Sequence, residues 1–392
     1  MSSIDALIKE IFPQICEIRR DIHRNPEVSF KEFRTTELII SKLKSLGYDI
    51  ERPTETGCVA VLNGGVTSDR VIALRADIDA LPMQEEGEHK KDFLSQIPGV
   101  AHCCGHDVHT ANLLGTAHIL AKFREKVPGR VVLVFQPGEE KLPGGGRLIM
   151  ESGVLQKLGV QQIFGMHTYP FASPGEVMVI KGPMMARPDE FILRVFGKGG
   201  HAAMPHKAVD PIVISAQIIT VIQSIISRSV NPVESAVVTV GTIRGGSAHN
   251  VIPESVTMLG TVRTFSRDLA LKISDQIERV ASGIAESFGG HIEFEFSEGY
   301  PAVINTSSAV DRVCEVVDKC SDTRVKFLDE PIMAGEDFSY YLQEIPGSFM
   351  YLGSGSPDSG SDAFNWHHPC YNADERSLLT GMKVMSGLVL EP

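Results

Sequence analysis

Apolar residues recur along this chain with helical and strand periods that change from one stretch to the next. Ile4, Leu7, Ile8, Ile11, Ile15 and Ile18 fall at three- and four-residue intervals, the spacing of one helix face. The first two dozen residues therefore predict an amphipathic helix that docks on a core. A second helix is predicted over 32–46, ending at Gly47, with strands over 57–62 and 70–76. After a Pro- and acid-rich loop, 80–100, a helix is predicted from about 107 to 124, with Leu113, Leu114, Ala117, Leu120 and Ala121 as its apolar stripe. The unbroken run VVLVF at 131–135 reads as a central parallel strand, apolar on both faces. Strands alternating with helices in this way imply a mostly parallel sheet covered by helices.

The middle of the chain changes rhythm. Strands are predicted over 190–197, 236–243, 255–265 and 291–296, with helices over 210–228 and 267–287. The order β-α-β-β-α-β is the ferredoxin-like one, and helix–strand alternation resumes from 303. The chain thus divides into 1–186 and 299–392, two parts of one α/β domain, and an inserted α+β domain over 187–298. Polar residues interrupt 210–228 every two or three positions, so it is not read as a membrane span.

Composition narrows the function only slightly. Lys and Arg number 37 against 49 Asp and Glu, and this net acidity disfavours sequence-independent nucleic-acid binding, which needs a basic surface. Seven cysteines without a CxxC pair suggest a reducing compartment rather than a disulfide framework. The N-terminus lacks the apolar stretch of a signal peptide. A soluble, cytoplasmic protein is expected.

The candidate chemistry lies in a few dense clusters. AHCCGHDVH, 101–109, carries His102, Cys103, Cys104, His106, Asp107 and His109 at a helix start. A lone Cys or His would more often be core or cap; six candidate ligands within eight residues favour a metal. Glu139 and Glu140 follow the VVLVF strand, and Asp77 and Asp79 follow the strand at 70–76. Ligands bind beyond the carboxyl ends of strands in α/β sheets. Successive side chains in extended chain point opposite ways, so one glutamate could face a metal and its neighbour the substrate water. Taken alone, each acidic pair is as well explained by an exposed loop or turn. His167, His367 and His368 are candidates of the same kind. In the insert, His201, His206, His249, Asn250 and Arg263 could recognise a substrate carboxylate or simply serve turns and internal pairs. GSGSPDSGSD, 353–362, reads as a surface loop. Cys314 and Cys320 are read as core residues on one helix. No GxSxG elbow, GxGxxG or GxxxxGK[ST] motif is present.

Together RADIDALP, CGHDVH, FQPGEE, MHTYP, GKGGHAAMPH, GGSAHNVIPE and AGEDFSYYL resemble, in content and order, the co-catalytic metallopeptidases that include aminoacylases and carboxypeptidases. The likeness covers essentially the whole chain and is strongest to the branch of hippurate hydrolase, N-acyl-amino-acid amidohydrolases and auxin-conjugate hydrolases. It implies a zinc-peptidase-like mixed sheet flanked by helices, with the ferredoxin-like insert as a lid and dimerisation domain. It implies two divalent metal ions, zinc or manganese, held by Cys104, His106, Glu140, His167 and His367. Glu139 would be the general base, and Asp77 would orient a ligand. His201 and Asn250 match residues that reach the site from the insert, and Arg263 matches a further substrate-binding position. Arg75 stands where the wider family has a histidine ligand, and Cys103 where the branch has alanine.

The activity this implies is hydrolysis of the amide bond of an N-acyl amino acid, by a cytoplasmic homodimer acting on a small molecule. A dipeptidase or metallocarboxypeptidase is the alternative within the same chemistry. A non-catalytic or redox-responsive metal-binding protein is the alternative outside it, the latter on account of Cys103 beside Cys104.

Overall fold

The computed structural model describes residues 2–357 and 363–391; the second half of the expected loop 353–362 lies outside them. The chain forms two compact units. The first comprises Met1–Met184, Ile304–Pro331 and Asp337–Pro392, the second Met185–Val303 with Ile332–Glu336.

In the first unit α1 (Ser2–Arg24) and α2 (Phe33–Ser45) precede β1 (Asp49–Glu51), β2 (Cys58–Asn63) and β3 (Val66–Asp77). Then come α3 (His106–Lys122), β4 (Pro128–Gln136), β5 (Gln162–Tyr169) and β6 (Glu176–Val179). One eight-stranded mixed sheet runs β1–β2–β4–β3–β5, continuing through Gly347–Gly353, β6 and Arg324–Phe327. β3 is parallel to both β4 and β5, so these three adjacent strands end on one edge. The VVLVF run is the buried interior of β4, as its composition requires. It is parallel only on the β3 side, because β2 runs antiparallel along its other edge. Burial on both faces comes from the layers above and below, and carries no information about the direction of a neighbouring strand.

Helix α3 is buried almost all round. Leu113, Leu114, Ala117 and Leu120 join the core cluster that holds Leu74 and Leu133, while Val108, Ala111 and Ile119 pack with Ile4, Ile8, Ile11 and Ile15 of α1 and Met382 of the helix Ser377–Leu390. Each such leucine or isoleucine removed from water is worth roughly 1.5–3 kcal/mol. The expected stripe is therefore only half of what α3 buries. Cys320 also departs from expectation: it is buried, but lies beyond the helix Ser307–Asp318 that carries Cys314.

The second unit holds a four-stranded antiparallel sheet, Ala236–Gly245, Ser255–Thr264, Arg187–Phe196 and His291–Ser297 in that spatial order. The helices Pro211–Ser229 and Arg267–Ser287 complete the β-α-β-β-α-β order. Pro211 opens the first of these helices, where its missing N–H costs nothing, and Asp210 caps it by accepting from Ile212 N and Val213 N. The helix is long and apolar enough to cross a membrane by length and composition alone. In the fold, Ile214, Ile218, Ile222 and Ile225 are buried in this unit's core with Leu193, Met258 and Ile277.

Buried charge ties α1 to the start of α3. Arg19 Nε donates to Asp107 Oδ2 (2.6 Å) and its Nη2 to Asn372 Oδ1 (3.0 Å). The two ring nitrogens of His23 face Asp107 Oδ2 at 2.8 Å and Glu85 Oε1 at 2.7 Å. Lys90 Nζ lies 2.6 Å from the same Glu85 oxygen and donates to the Pro369 carbonyl. Burial pushes the Glu85 carboxyl up, but His23 and Lys90 outweigh it and hold it at about 2.

Because this folded value lies below an ordinary one, Glu85 contributes stability that is complete above about pH 5 and lost as pH falls towards 2. Urea unfolding at pH 7 should find Glu85→Ala weaker by about 3–5 kcal/mol, since Lys90 and His23 lose a buried partner. Glu85→Gln should flatten the acid limb of stability against pH; an unchanged limb would place its origin elsewhere.

Candidate metal centre

The carboxyl edge of β4, β3 and β5 gathers the polar residues. Asp77 is the last residue of β3 and pairs in register with Gln136, the last of β4. His167 lies near the end of β5. Glu139 and Glu140 follow β4, and Cys104 and His106 open α3. Gly105 makes that opening possible. It has φ +97°, and a Cβ there would meet Thr168 Oγ1 at 2.3 Å; only glycine takes this conformation without strain at such close approach.

The ligand-type atoms of Cys104, His106 and His167 lie within 4.8 Å of one another, as do those of Cys104, Glu140 and His367, and of His106, Glu139 and Glu140. Within these sets each nitrogen has a legible role. His106 Nδ1 donates to the Asp79 carbonyl (2.9 Å) and lies 3.2 Å from Asp79 Oδ1. Its Nε2 is buried and unpartnered, 3.6 Å from Asp77 Oδ2 and 4.0 Å from Glu140 Oε1. His167 Nδ1 donates to the Thr168 carbonyl (2.8 Å), leaving Nε2 3.3 Å from Cys104 Sγ. Glu140 Oε1 has no hydrogen-bond partner although His367 Nε2 is 3.1 Å away.

His109, one turn after His106, is different. Its Nε2 accepts from Thr168 N (2.9 Å), so its Nδ1 carries the proton given to Asp77 Oδ1 at 2.6 Å. Both nitrogens are used. His368 is also occupied elsewhere: its Nδ1 accepts from Cys370 N and its ring stacks on Phe364. Of the adjacent candidates His367 and His368, it is His367 that faces Glu140.

The electrostatics call for positive charge. Burial lowers His106, yet Asp77, Asp79 and Glu140 together raise it to about 10. Burial and the carboxylates Glu140, Glu139 and Asp77 push the Cys104 thiol well up. Burial holds His167 neutral, well below its ordinary range. Imidazole, thiol and carboxylate groups with unpartnered atoms converging, in a carboxylate field strong enough to hold a positive charge on His106 when no ion is bound, fit divalent metal. The pinned Nδ1–H groups of His106 and His167 are the outer contacts that fix a ligating tautomer.

Beneath this edge lies Arg75, fully buried. Its guanidinium donates to Asp77 Oδ2 (2.7 Å), Asp337 Oδ1 (2.8 Å) and Gln136 Oε1 (2.9 Å). Asp337 also accepts from Gln136 Nε2 and Gly146 N. Burial raises Asp77, but Arg75, His106 and His109 together take it well below the carboxylate range. Burial dominates at Asp337, which rises to about 6, so Asp77 is the firmer anion of the two. Asp77 contacts His109 and Arg75 by hydrogen bonds; the carboxylate bonded to a facing histidine is Asp79. That role, the Asp337 anchor and the Trp366 indole were not assigned from sequence. Trp366 Nε1 donates to the Thr168 carbonyl and its ring stands edge-on to His167 at 4.9 Å. Its one signal is that the chain's single tryptophan directly precedes His367.

In the second unit, His201 and Asn250 come together: Val251 pairs with His201, and the Asn250 carbonyl accepts from Ala202 N. Both side chains are exposed. Arg263 sits apart from them on the strand Ser255–Thr264, half-buried and paired in register with Pro188 and Val237.

A mixed α/β sheet presenting thiol, imidazole and carboxylate donors at the ends of its parallel strands defines a metal-dependent hydrolase. The sequence profile of Peptidase family M20/M25/M40 matches residues 73–391, and the chain belongs to this family. It is 43% identical to an N-acyl-L-amino acid amidohydrolase of Geobacillus stearothermophilus, over 77% of this chain and 80% of that protein. It is 38% identical to thermostable carboxypeptidase 2 of Saccharolobus solfataricus, over 95% and 94%. The crystal structure of the Bacillus subtilis YXEP protein, described as a dinuclear metal-binding peptidase of the M20 family, superposes with a TM-score of 0.84 at 34% identity. That match covers 97% of this chain and 98% of the other.

Asp337→Ala should lower the unfolding free energy by about 3–5 kcal/mol, because it removes one of two carboxylates from a buried guanidinium. Denaturant titration checks this, and a loss below about 1 kcal/mol would show Arg75 satisfied without it.

Proposed function

We propose that this protein is a metal-dependent amidohydrolase that cleaves N-acyl amino acids to a carboxylic acid and a free amino acid. The observation that supports this most directly is the pairing of fixed and free atoms. His106 and His167 each spend one nitrogen on the backbone and turn the other towards Cys104, Glu140 or both. The relatives named for deacetylation and amidohydrolysis, an N-acetylcysteine deacetylase of Bacillus subtilis at 37% identity among them, favour the acyl-amino-acid substrate.

Cys104, His106, Glu140, His167 and His367 would hold two divalent ions, zinc or manganese. A thiolate among imidazole and carboxylate donors favours zinc, and the remaining donors suit manganese as well. Bound ions of this kind supply Lewis acidity to a water and to the amide carbonyl. Glu139, buried beside His106 and Glu140, takes the proton of the attacking water and gives it to the leaving nitrogen. Asp77 keeps His109 in one tautomer and, through it, the Thr168 N–H in place. His201 hydrogen-bonds the developing oxyanion, and Asn250 and Arg263 grip the substrate's carboxylate. A cytoplasmic homodimer completes the proposal.

A carboxypeptidase or dipeptidase is the second reading, favoured by the likeness to the Saccharolobus enzyme. Amino-acid release from N-acetyl, N-benzoyl and indole-acetyl amino acids, run beside free dipeptides, separates the two. Release from the acylated set is expected, abolished by chelation and restored by zinc or manganese. Glu139→Gln should lower kcat by about 10²–10⁴ with metal content unchanged. Release from dipeptides alone would make the protein a peptidase, and wild-type turnover in Glu139→Gln would remove the base from the scheme.

A further inference from the structure

The segment before α2 carries a carboxylate that the fold and the proposed chemistry leave without an obvious task. Glu32 is fully buried. It occupies the N-cap position of α2, yet its side chain caps nothing there. The free N–H groups of Arg34 and Thr35 are taken by Glu27 instead, at 2.9 and 2.8 Å. The Glu32 carboxylate points the other way. Its Oε1 accepts from Gly138 N (2.8 Å) and from Phe30 N (2.9 Å), and its Oε2 from Thr56 Oγ1 (2.6 Å).

Gly138 is the residue before Glu139. The same segment presses on it a second time, because a Cβ at Gly138 would lie 2.3 Å from the Phe30 ring, and Gly138 itself has φ +59°. Phe30 is held at φ +64°, in the left-handed region that a bulky side chain enters only when its surroundings compel it. On the far side of Glu139, the N–H of Glu140 donates to Asp79 Oδ2 (3.0 Å), an oxygen that Ser29 Oγ also reaches at 2.7 Å. Glu139 is therefore suspended between two amides, each anchored on a buried carboxylate, and both carboxylates are gripped by residues 29–32. Burying a carboxylate is costly unless its hydrogen bonds are met. Here the turn that carries Glu139 supplies one of those bonds to each carboxylate, Gly138 N to Glu32 and Glu140 N to Asp79.

We propose that Glu32 is a positioning residue for the hydrolytic reaction: by accepting the Gly138 N–H it fixes the backbone from which Glu139 projects. The inference rests on Glu139 being the base. It assigns Glu32 no contact with substrate or metal, and it makes reach, not charge, the property that matters. The hydrogen-bond partners of Glu32, Gly138 N, Phe30 N and Thr56 Oγ1, are all neutral donors, and burial with the Asp79 charge raises Glu32 to about 7, so a neutral acceptor of the same length suits the place.

Two substitutions separate reach from charge. In Glu32→Gln the amide oxygen can accept both backbone N–H groups while the amide nitrogen donates to Thr56 Oγ1, so position is kept without charge. Glu32→Asp keeps the carboxylate but is one methylene shorter. Steady-state kinetics on the best N-acyl amino acid, with metal content by elemental analysis, should find Glu32→Gln within about threefold of wild-type kcat. Glu32→Asp should lose about ten- to a hundredfold in kcat, the scale of a misplacement near 1 Å. Its KM should stay within about twofold and its metal content should be unchanged, because Asp79 still holds the Glu140 amide. Because a smaller folded fraction would also lower apparent kcat at unchanged KM, kcat is taken per folded, metal-loaded protein, with the folded fraction read from circular dichroism. Wild-type kcat in Glu32→Asp, or an equal fall in Glu32→Gln, would overturn the proposal. Glu139→Gln run in parallel keeps the two readings distinct: if it turns over like wild type, the assignment of the base fails, whereas if it is inactive and Glu32→Asp is not, the positioning role alone fails.

Discussion

Negative charge crowded onto one edge of a sheet is the constraint from which the rest of this structure follows. Asp77, Asp79, Glu139 and Glu140 all bring a carboxylate oxygen within 4.8 Å of a His106 ring nitrogen. At an intermediate effective dielectric, like charges at such distances repel by several kcal/mol. The fold answers with buried hydrogen-bond donors. Arg75 lies under the strands, His106 is raised into the cationic range, and backbone amides from Gly138, Glu140 and Thr168 are directed inward to fixed partners. What remains unanswered is confined to a few atoms, His106 Nε2 and Glu140 Oε1 among them. That residual deficit is the physical content of the metal centre.

Two histidines three residues apart illustrate how finely the environment divides the work. His106 and His109 share one helix turn and one carboxylate neighbour, Asp77. Thr168, at the end of β5, gives its N–H to His109 and takes the Nδ1–H of His167 on its carbonyl. A single residue next to His167 thereby occupies one nitrogen of His109 and fixes the tautomer of His167. Metal chemistry on this edge depends on a strand terminus as much as on the side chains that face it.

Much of this was legible in the sequence. Helix Arg267–Ser287 and the β-α-β-β-α-β order of the second unit match the periodicity closely, because amphipathic elements of a small antiparallel layer show one face each. The first unit was less transparent. Helix α3 is buried on both sides, so its apolar residues exceed any single stripe, and the direction of β2 beside β4 is set by pairing across the sheet rather than by composition. Of the site, the clustering of His, Cys and carboxylates at strand ends was visible from spacing. The division between facing and structural histidines was not, since it turns on which backbone carbonyl or amide each ring meets. Asp337 and Glu32 were invisible for a related reason. Their partners, Arg75 and Gly138, are 262 and 106 residues away, and no local pattern records such a pairing.

That separation in sequence also bears on how the protein comes into being. Arg19 meets Asn372 across 353 residues, and His367 faces a glutamate at 140. During synthesis the chain must complete the whole of the second unit before the last strand, Trp366 and His367 emerge. A ribosome-bound chain that stops short of them carries a half-assembled cluster of carboxylates, with one histidine and one tryptophan still missing. The edge is therefore closed only after every segment of the second unit has been made, by residues that follow it in the chain.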